Sequence, residues 1–332
     1  MDLFRPNPNL KLMEQVTQVL SYHHYAKATQ KSYCSWIRHY IGFHKNRHPS
    51  EMGKAEIELF LAYLAETRNV SPSTQKQALN AIVFLYKRVL FIPVSDSLEL
   101  VRAKKRVRIP VVLSQAEVQD VLFNMQGTYR LMGRLMYGGG LRLMECIRLR
   151  VKDIDFSRGK LYIHMAKGGK DRVTLLPNVI RDELSHHVER VLRLHETDLS
   201  EGFGTVYIPP ALLRKYPSSN TEPGWQYVFP SRNRSTDPET GEVRRHHVME
   251  SGLQKAVKRA VRQTGITKRA TSHTFRHSFA THLLENGVNI RVVQELMGHS
   301  DVKTTEIYTH VMDKRVDEIT SPLDLVMGVD TP

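Results

Sequence analysis

Six side chains between positions 142 and 308 of a 332-residue chain have the types that phosphate chemistry needs: Arg142, Lys167, His273, Arg276, His299 and Tyr308. Singly, each has an ordinary explanation. An arginine near a helix start makes a surface ion pair, a lysine in a glycine turn is solvated, and a tyrosine half-buries its ring with the hydroxyl reaching water. Together they suit phosphodiester transfer without a metal ion. A guanidinium fork binds two non-bridging oxygens at once, and two forks offset the charge on a five-coordinate phosphorus. A phenol can attack phosphorus and hold the broken bond as an ester. A lysine or histidine then protonates the departing sugar oxygen. Neither a cofactor nor a metal is called for.

These residues need elements to hold them. Arg142 opens a helix over 142–149, directly after Gly138-Gly139-Gly140. His273 and Arg276 lie three residues apart in SHTFRHSFATHLL, one turn of a helix over 274–285, and so share a face. LYIHMAKGGKDRVTLLP (161–177) alternates like a hairpin, with Lys167 and Gly168-Gly169 at its tip. His299 follows Gly298, a helix-ending glycine after 289–297. Tyr308 falls on a short helix over 302–311, capped by Ser300 or Asp301. Further helical spacing runs over 115–125, 128–137, 247–263 and a long stretch ending near 196. Ser114 and Glu117 form a capping box at the first of these.

Residues 9–92 read as helices throughout, with Ser71 as an N-cap and Pro72 in the first turn. Between the two regions, five of the eight residues from Val101 to Arg108 are basic: Arg102, Lys104, Lys105, Arg106 and Arg108. The expected organisation is a helical DNA-binding domain over 1–100, a basic linker over 101–112 that tracks phosphates, and a catalytic domain over 113–332. Residues 197–246 are Gly-, Pro- and aromatic-rich and read as an irregular functional insertion. The fold class is mainly α (α+β), with a small antiparallel sheet in the second domain.

A net charge of +14 points to nucleic acid as partner. The most apolar run, 81–94, is broken by Lys87 and Arg88 and is too short to span a bilayer. MDLFRPNPNL lacks the apolar core of a secretory signal. Cys34 and Cys146 form no CxxC pair and are expected to be buried thiols of a reducing cytoplasm.

The chain also resembles a family. GGGLRLMEC (138–146), MAKGGKDRVTLLP (165–177), HTFRHSFATHLLENG (273–287) and LMGHSDVKTTEIYTH (296–310) are similar, in this order, to the blocks of the tyrosine recombinases. The resemblance covers nearly the whole chain. It implies a helical core-binding (SAM-like) module, Arg142 and Arg276 as phosphate clamps, and Lys167 as general acid. It implies that His273 and His299 assist proton transfer and orient the phosphate. Tyr308 becomes the nucleophile of a 3′-phosphotyrosyl link, with Glu145 supporting the first arginine. Gly139 departs from the threonine that relatives often carry. The resemblance further implies a homotetramer on two sites; the expected location is the cytoplasm at the nucleoid, and the segment from Val311 to about Leu325 is expected to pack as a helix on a neighbouring subunit.

Residues 199–230 are similar to the insertion of integron integrases, which use a duplex attachment site and a cassette site folded as a single-stranded hairpin. Extruded bases are read by stacking, and Trp225, Tyr227, Pro238, His246 and His247 are the candidates. Alternatives remain. A zinc site from His273, His277 and His282 lacks HExxH and any cysteine or carboxylate to complete it. A recombinase scaffold that binds DNA without cleaving it is a second. A phage-type integrase or chromosome-dimer resolvase acting on duplex sites is a third.

Overall fold

The computed structural model describes residues 4–93, 110–164, 171–238, 240–299 and 301–309. It is mostly helical with a small antiparallel sheet, and it divides into two units, Met1–Val107 and Arg108–Pro332. No described helix is long and apolar enough to cross a membrane.

The first unit carries α1 (Leu12–Tyr22), α2 (Lys27–Phe43), α3 (Lys54–Glu66) and α4 (Pro72–Phe84), the last running into a π-helical turn over Leu85–Leu90. Each helix buries residues at three- and four-residue spacing, such as Val16, Val19 and Leu20 on α1 and Ile57, Phe60, Leu61 and Leu64 on α3. Burying each such side chain is worth about 1.5–3 kcal/mol, which fixes the helices against one another. The Ser71 hydroxyl accepts from the Thr74 amide at 3.3 Å, capping α4 ahead of Pro72. In the core, the hydroxyls of Tyr40 and Tyr86 pair at 2.9 Å.

The second unit begins with α5 (Gln115–Asn124), α6 (Gly127–Gly138) and α7 (Leu143–Ile147). The Ser114–Glu117 capping box forms at α5 as its spacing suggests. Next comes a sheet of β1 (Ile154–Asp155), β2 (Lys160–Ile163) and β3 (Arg172–Leu175), antiparallel in that order, with Leu161 opposite Thr174. Leu161 and Ile163 of β2 are buried, as are Arg172 and Thr174 of β3, in the period-2 pattern of a half-covered sheet. The tip of this hairpin, including Lys167, lies outside the described residues, as do Arg102, Lys104, Lys105, Arg106 and Arg108 of the linker.

After α8 (Arg181–Ser200) the chain carries α9 (Pro210–Lys215), a 3-10 turn at Pro223–Trp225, and a hairpin of β4 (Ser235–Thr236) and β5 (Val243–Arg244). Residues 197–246 are therefore ordered locally rather than irregular throughout. Long-range ties do this, and composition does not reveal them. His195 of α8 bonds the Thr221 carbonyl at 2.8 Å, and Asp198 takes both Nε (2.5 Å) and an NH2 (2.7 Å) of Arg245. Arg150 donates to the carbonyls of Trp225 and Tyr207.

The chain closes through α10 (Glu250–Gln263), α11 (Ser272–Glu285), α12 (Ile290–Met297) and α13 (Lys303–Glu306). α11 is buried on nearly every side, because α6, α10 and α12 all pack on it. Gly298 ends α12 in the left-handed region at φ 61°. The final helix is shorter than the expected 302–311, and Tyr308 lies in the turn beyond it. The N-cap of α13 is Val302, and Asp301 contributes a backbone carbonyl to the Thr304 amide; Ser300 lies outside the described residues.

Candidate active site

The site starts at a glycine. Gly140 has φ +62°, and a Cβ there would come within 2.5 Å of the Phe279 ring on α11. This bend lets α6 end and Arg142 begin α7 as its N-cap. Gly140→Ala adds left-handed strain to an overpacked contact. It is expected to lower stability by about 2–4 kcal/mol, read as a lower urea midpoint with an unchanged slope.

Glu145, one turn into α7, organises three arginines. It accepts from the Arg142 backbone amide at 2.8 Å and from the Arg142 guanidinium at 2.7 Å. Arg172 reaches across from β3 and binds both carboxylate oxygens, at 2.9 and 2.7 Å, while its Nε donates to the Leu296 carbonyl at 2.9 Å. Arg276 lies 3.8 Å from the same carboxylate. Its own guanidinium donates to the Gly140 carbonyl at 2.5 Å and to the Met297 carbonyl. Arg172 and Arg276 thus join α7, β3, α11 and the end of α12 in one frame. Three guanidinium charges against one carboxylate leave an excess of two positive charges in a largely buried place. That matches the two negative charges of a five-coordinate phosphorane formed from a diester.

The ionisation of these groups follows from burial and charge. Burial raises the Glu145 carboxyl, but the hydrogen bonds and charge of Arg172, then Arg142, outweigh it and hold Glu145 at about 2. Burial, then Arg142, pushes Arg276 down to about 9, leaving it charged at neutral pH. His277 and His299 are each pushed down to about 4, by burial first and then by neighbouring cations and imidazoles. His273, although its side chain reaches solvent, is lowered by partial desolvation of its ring and then by Arg276. Burial raises the Tyr308 phenol, against the pull of Arg276 and Arg142.

Histidines whose folded pKa is depressed bind fewer protons folded than unfolded between about 4 and 6.5, so their contribution is present above 6.5 and is lost as pH falls through that window. Glu145 contributes about 3 kcal/mol above its ordinary range near 4.5, lost as pH falls toward 2. Urea midpoints should therefore fall from about pH 6.5 to 4 through the histidines and further from about pH 4.5 to 2 through Glu145.

The acceptor end of the site is equally defined. Arg276 donates to His299 Nε2 at 3.2 Å, so the His299 proton sits on Nδ1, which donates to Thr305 Oγ1 at 2.9 Å. The Tyr308 ring lies nearly parallel to the His299 ring, with centroids 6.4 Å apart. Tyr308 is 2% exposed, and its hydroxyl meets His277 Nδ1 at 3.0 Å. His273 is exposed one turn before Arg276. Such an arrangement can hold a phosphate between two forks beside a phenolic oxygen.

Arg142, Arg276, His299 and Tyr308 are thus gathered in one place, with His273 on the same helix as Arg276. Arg172 is the participant that sequence reading missed. Its signal was the inward phase of β3, which it shares with Thr174. His277 had been weighed only as a zinc ligand. It bonds Tyr308 instead, and His282 bonds the Tyr137 hydroxyl at 2.9 Å.

The stacking candidates divide. Trp225 is half-buried, with Lys152 Nζ 4.0 Å and the Arg150 guanidinium 5.6 Å from its ring centroid. Tyr227 is 5% exposed and packs with Val206 and Ile208, under Arg150 at 4.6 Å. Its ring has no open face here, because it serves as the insertion's own core. His246 and His247 are half-buried with ring centroids 3.9 Å apart, and Pro238 is exposed.

The Phage integrase family profile matches residues 111–315, and that of the Phage integrase N-terminal SAM-like domain matches residues 12–96. The chain belongs to the phage integrase family. It is a tyrosine recombinase, an enzyme of DNA strand cleavage and rejoining. It is 44% identical over 319 residues to an "Integrase/recombinase" of Escherichia coli, covering 96% of this chain and 95% of the relative. It is 29% identical to the tyrosine recombinase XerD of Oceanobacillus iheyensis, covering 88% and 90%. In fold, this recombinase is similar to lambda integrase (75–356), solved as a dimer bound to a COC′ core site, at TM-score 0.60 and 16% identity over 93% and 98% of the two chains.

Proposed function

We propose that this recombinase is an integron integrase. It joins a duplex attachment site to a cassette site presented as a folded single-stranded hairpin, and so integrates or excises gene cassettes. Arg142 and Arg276 clamp the non-bridging oxygens, and His273 and His299 orient them. Tyr308 attacks phosphorus and becomes joined to the 3′ side of the break, while Lys167 protonates the departing 5′ oxygen. The ester conserves the bond, so rejoining needs no nucleotide cofactor. The basic segment from Arg102 to Arg108 follows the phosphates between the two domains, a homotetramer holds two sites, and the enzyme works at the nucleoid.

The observation that carries the chemistry is the meeting of Arg142, Arg276, His299 and Tyr308 at a place with two uncompensated positive charges. The hairpin substrate is supported by the insertion, which presents a half-buried Trp225 flanked by two cations. Stacking one base on an aromatic ring is worth about 1–3 kcal/mol. Trp225→Ala is therefore expected to reduce covalent adduct on hairpin sites by about tenfold and to leave duplex sites within twofold. Equal loss on both substrates would count against an insertion that reads extruded bases. Likeness to XerD favours a second reading, recombination of duplex sites alone. Offering the enzyme a panel of cassette-type hairpins and palindromic duplex sites separates the two. Adduct on one strand's hairpin supports the integron reading, and adduct confined to duplexes supports the other.

A further inference from the structure

We propose that His277 is the base that takes the Tyr308 proton as the phenolic oxygen attacks phosphorus, and the acid that returns it on rejoining. The proposal rests on the reading of Tyr308 as nucleophile and adds a residue to it. A phenol that becomes an ester must lose its proton, and the acceptor must lie within hydrogen-bond reach. His277 Nδ1 is 3.0 Å from the hydroxyl, with ring centroids 5.6 Å apart.

The other nearby groups are engaged or unsuited. His299 accepts from Arg276 through Nε2 and donates to Thr305 through Nδ1, so neither of its nitrogens has a free lone pair for the phenol. Arg276 has no acceptor atom. His273 is exposed, its ring centroid 6.4 Å from that of His277, and among the described residues no contact ties it to the phenol. Adjacent positions on α11 therefore divide the work: Arg276 turns to the phosphate and His277 to the nucleophile.

His277 is also in the right state. Burial, then His273 and Arg276, keep it neutral at pH 7, so one ring nitrogen holds a lone pair; as base, His277 uses the tautomer that leaves it on Nδ1, facing the phenol. The cation that depresses its basicity is the one the phosphate offsets. As the phosphorane gains a second negative charge, His277 becomes a better base at the moment it is needed. The step balances. The Tyr308 O–H bond breaks and its proton passes to Nδ1. The O–P bond forms, and the bond from phosphorus to the 5′ oxygen breaks. That oxygen takes a proton from the general acid on the opposite side. Rejoining reverses each transfer.

The test measures single-turnover adduct formation on a nicked suicide duplex. A second substrate carries sulfur at the bridging 5′ position, a leaving group that needs no acid. His277→Ala should bind duplex normally yet cleave about 10²–10⁴-fold more slowly, and the sulfur substrate should not restore it. Added imidazoles should restore cleavage, more strongly as their pKa rises. His277→Asn, which keeps a polar group but no base, should stay slow, and it covers the case in which His277→Ala fails to fold. Cleavage by His277→Ala within threefold of wild type overturns the proposal. So does rescue by the sulfur substrate, or restoration by asparagine but not by imidazole. If the wild-type chain forms no adduct, the nucleophile reading itself falls and the proposal falls with it.

Discussion

Tyr308→Phe is expected to bind duplex as tightly as the wild type while forming covalent adduct on the order of 10⁵-fold more slowly. The substitution removes one oxygen. The ring stays in a pocket shared with Phe279, Ala280, Leu284, Val293 and Met297, so the fold should tolerate the change. What is lost is the atom that joins phosphorus, together with its hydrogen bond to His277. A phenol 2% exposed, near Arg276 and Arg142 and hydrogen-bonded to His277, fits the nucleophile proposed above. If Tyr308→Phe cleaved at even a hundredth of the wild-type rate, the nucleophile would lie elsewhere.

Arg276→Ala is expected to cost about 10³–10⁵-fold in cleavage and to destabilise the protein as well. Arg276 is 3% exposed, and its removal leaves the Gly140 and Met297 carbonyls and His299 Nε2 without this donor. Arg276→Lys separates the two effects. It keeps one positive charge but cannot reach two carbonyls and a phosphate through a planar fork, so stability should recover more than activity. Arg142→Ala tests the same clamp from the more exposed side, its side chain being 20% exposed. It should lose activity with a smaller loss of stability. Single-turnover rates and urea midpoints measured together decide these points. An Arg276→Lys enzyme that cleaved like the wild type would show that charge alone suffices.

Much of this site was readable before the fold was known, because its parts follow local rules. Arg276 three residues after His273 in a helical run, Gly298 before His299, and Ser114 with Glu117 are each fixed by the backbone geometry of a single element. What escaped depends on contacts between elements. Arg172 looks like a surface residue of a hairpin until Glu145, 27 positions earlier, meets its inward face. The role of His277 depends on where a turn 31 residues later sets Tyr308. Tyr227 looked like an open ring because aromatic content marks a surface or a core equally well. Val206 and Ile208 decide which, and they come from the far side of the same insertion. The extent of α13 was overread for a related reason: the helical spacing continues past Glu306, but the chain turns to seat Tyr308.

In the proposed reaction one phenolic oxygen, held beside Arg276 and His299, takes the phosphate of the broken strand. The most direct measurement traps the enzyme on a nicked suicide substrate, digests the adduct and maps the modified residue by mass spectrometry. A nucleotide on Tyr308, joined through the 3′ phosphate and missing from Tyr308→Phe, is the predicted result. An adduct on any other side chain, or a 5′ linkage at Tyr308, would contradict it.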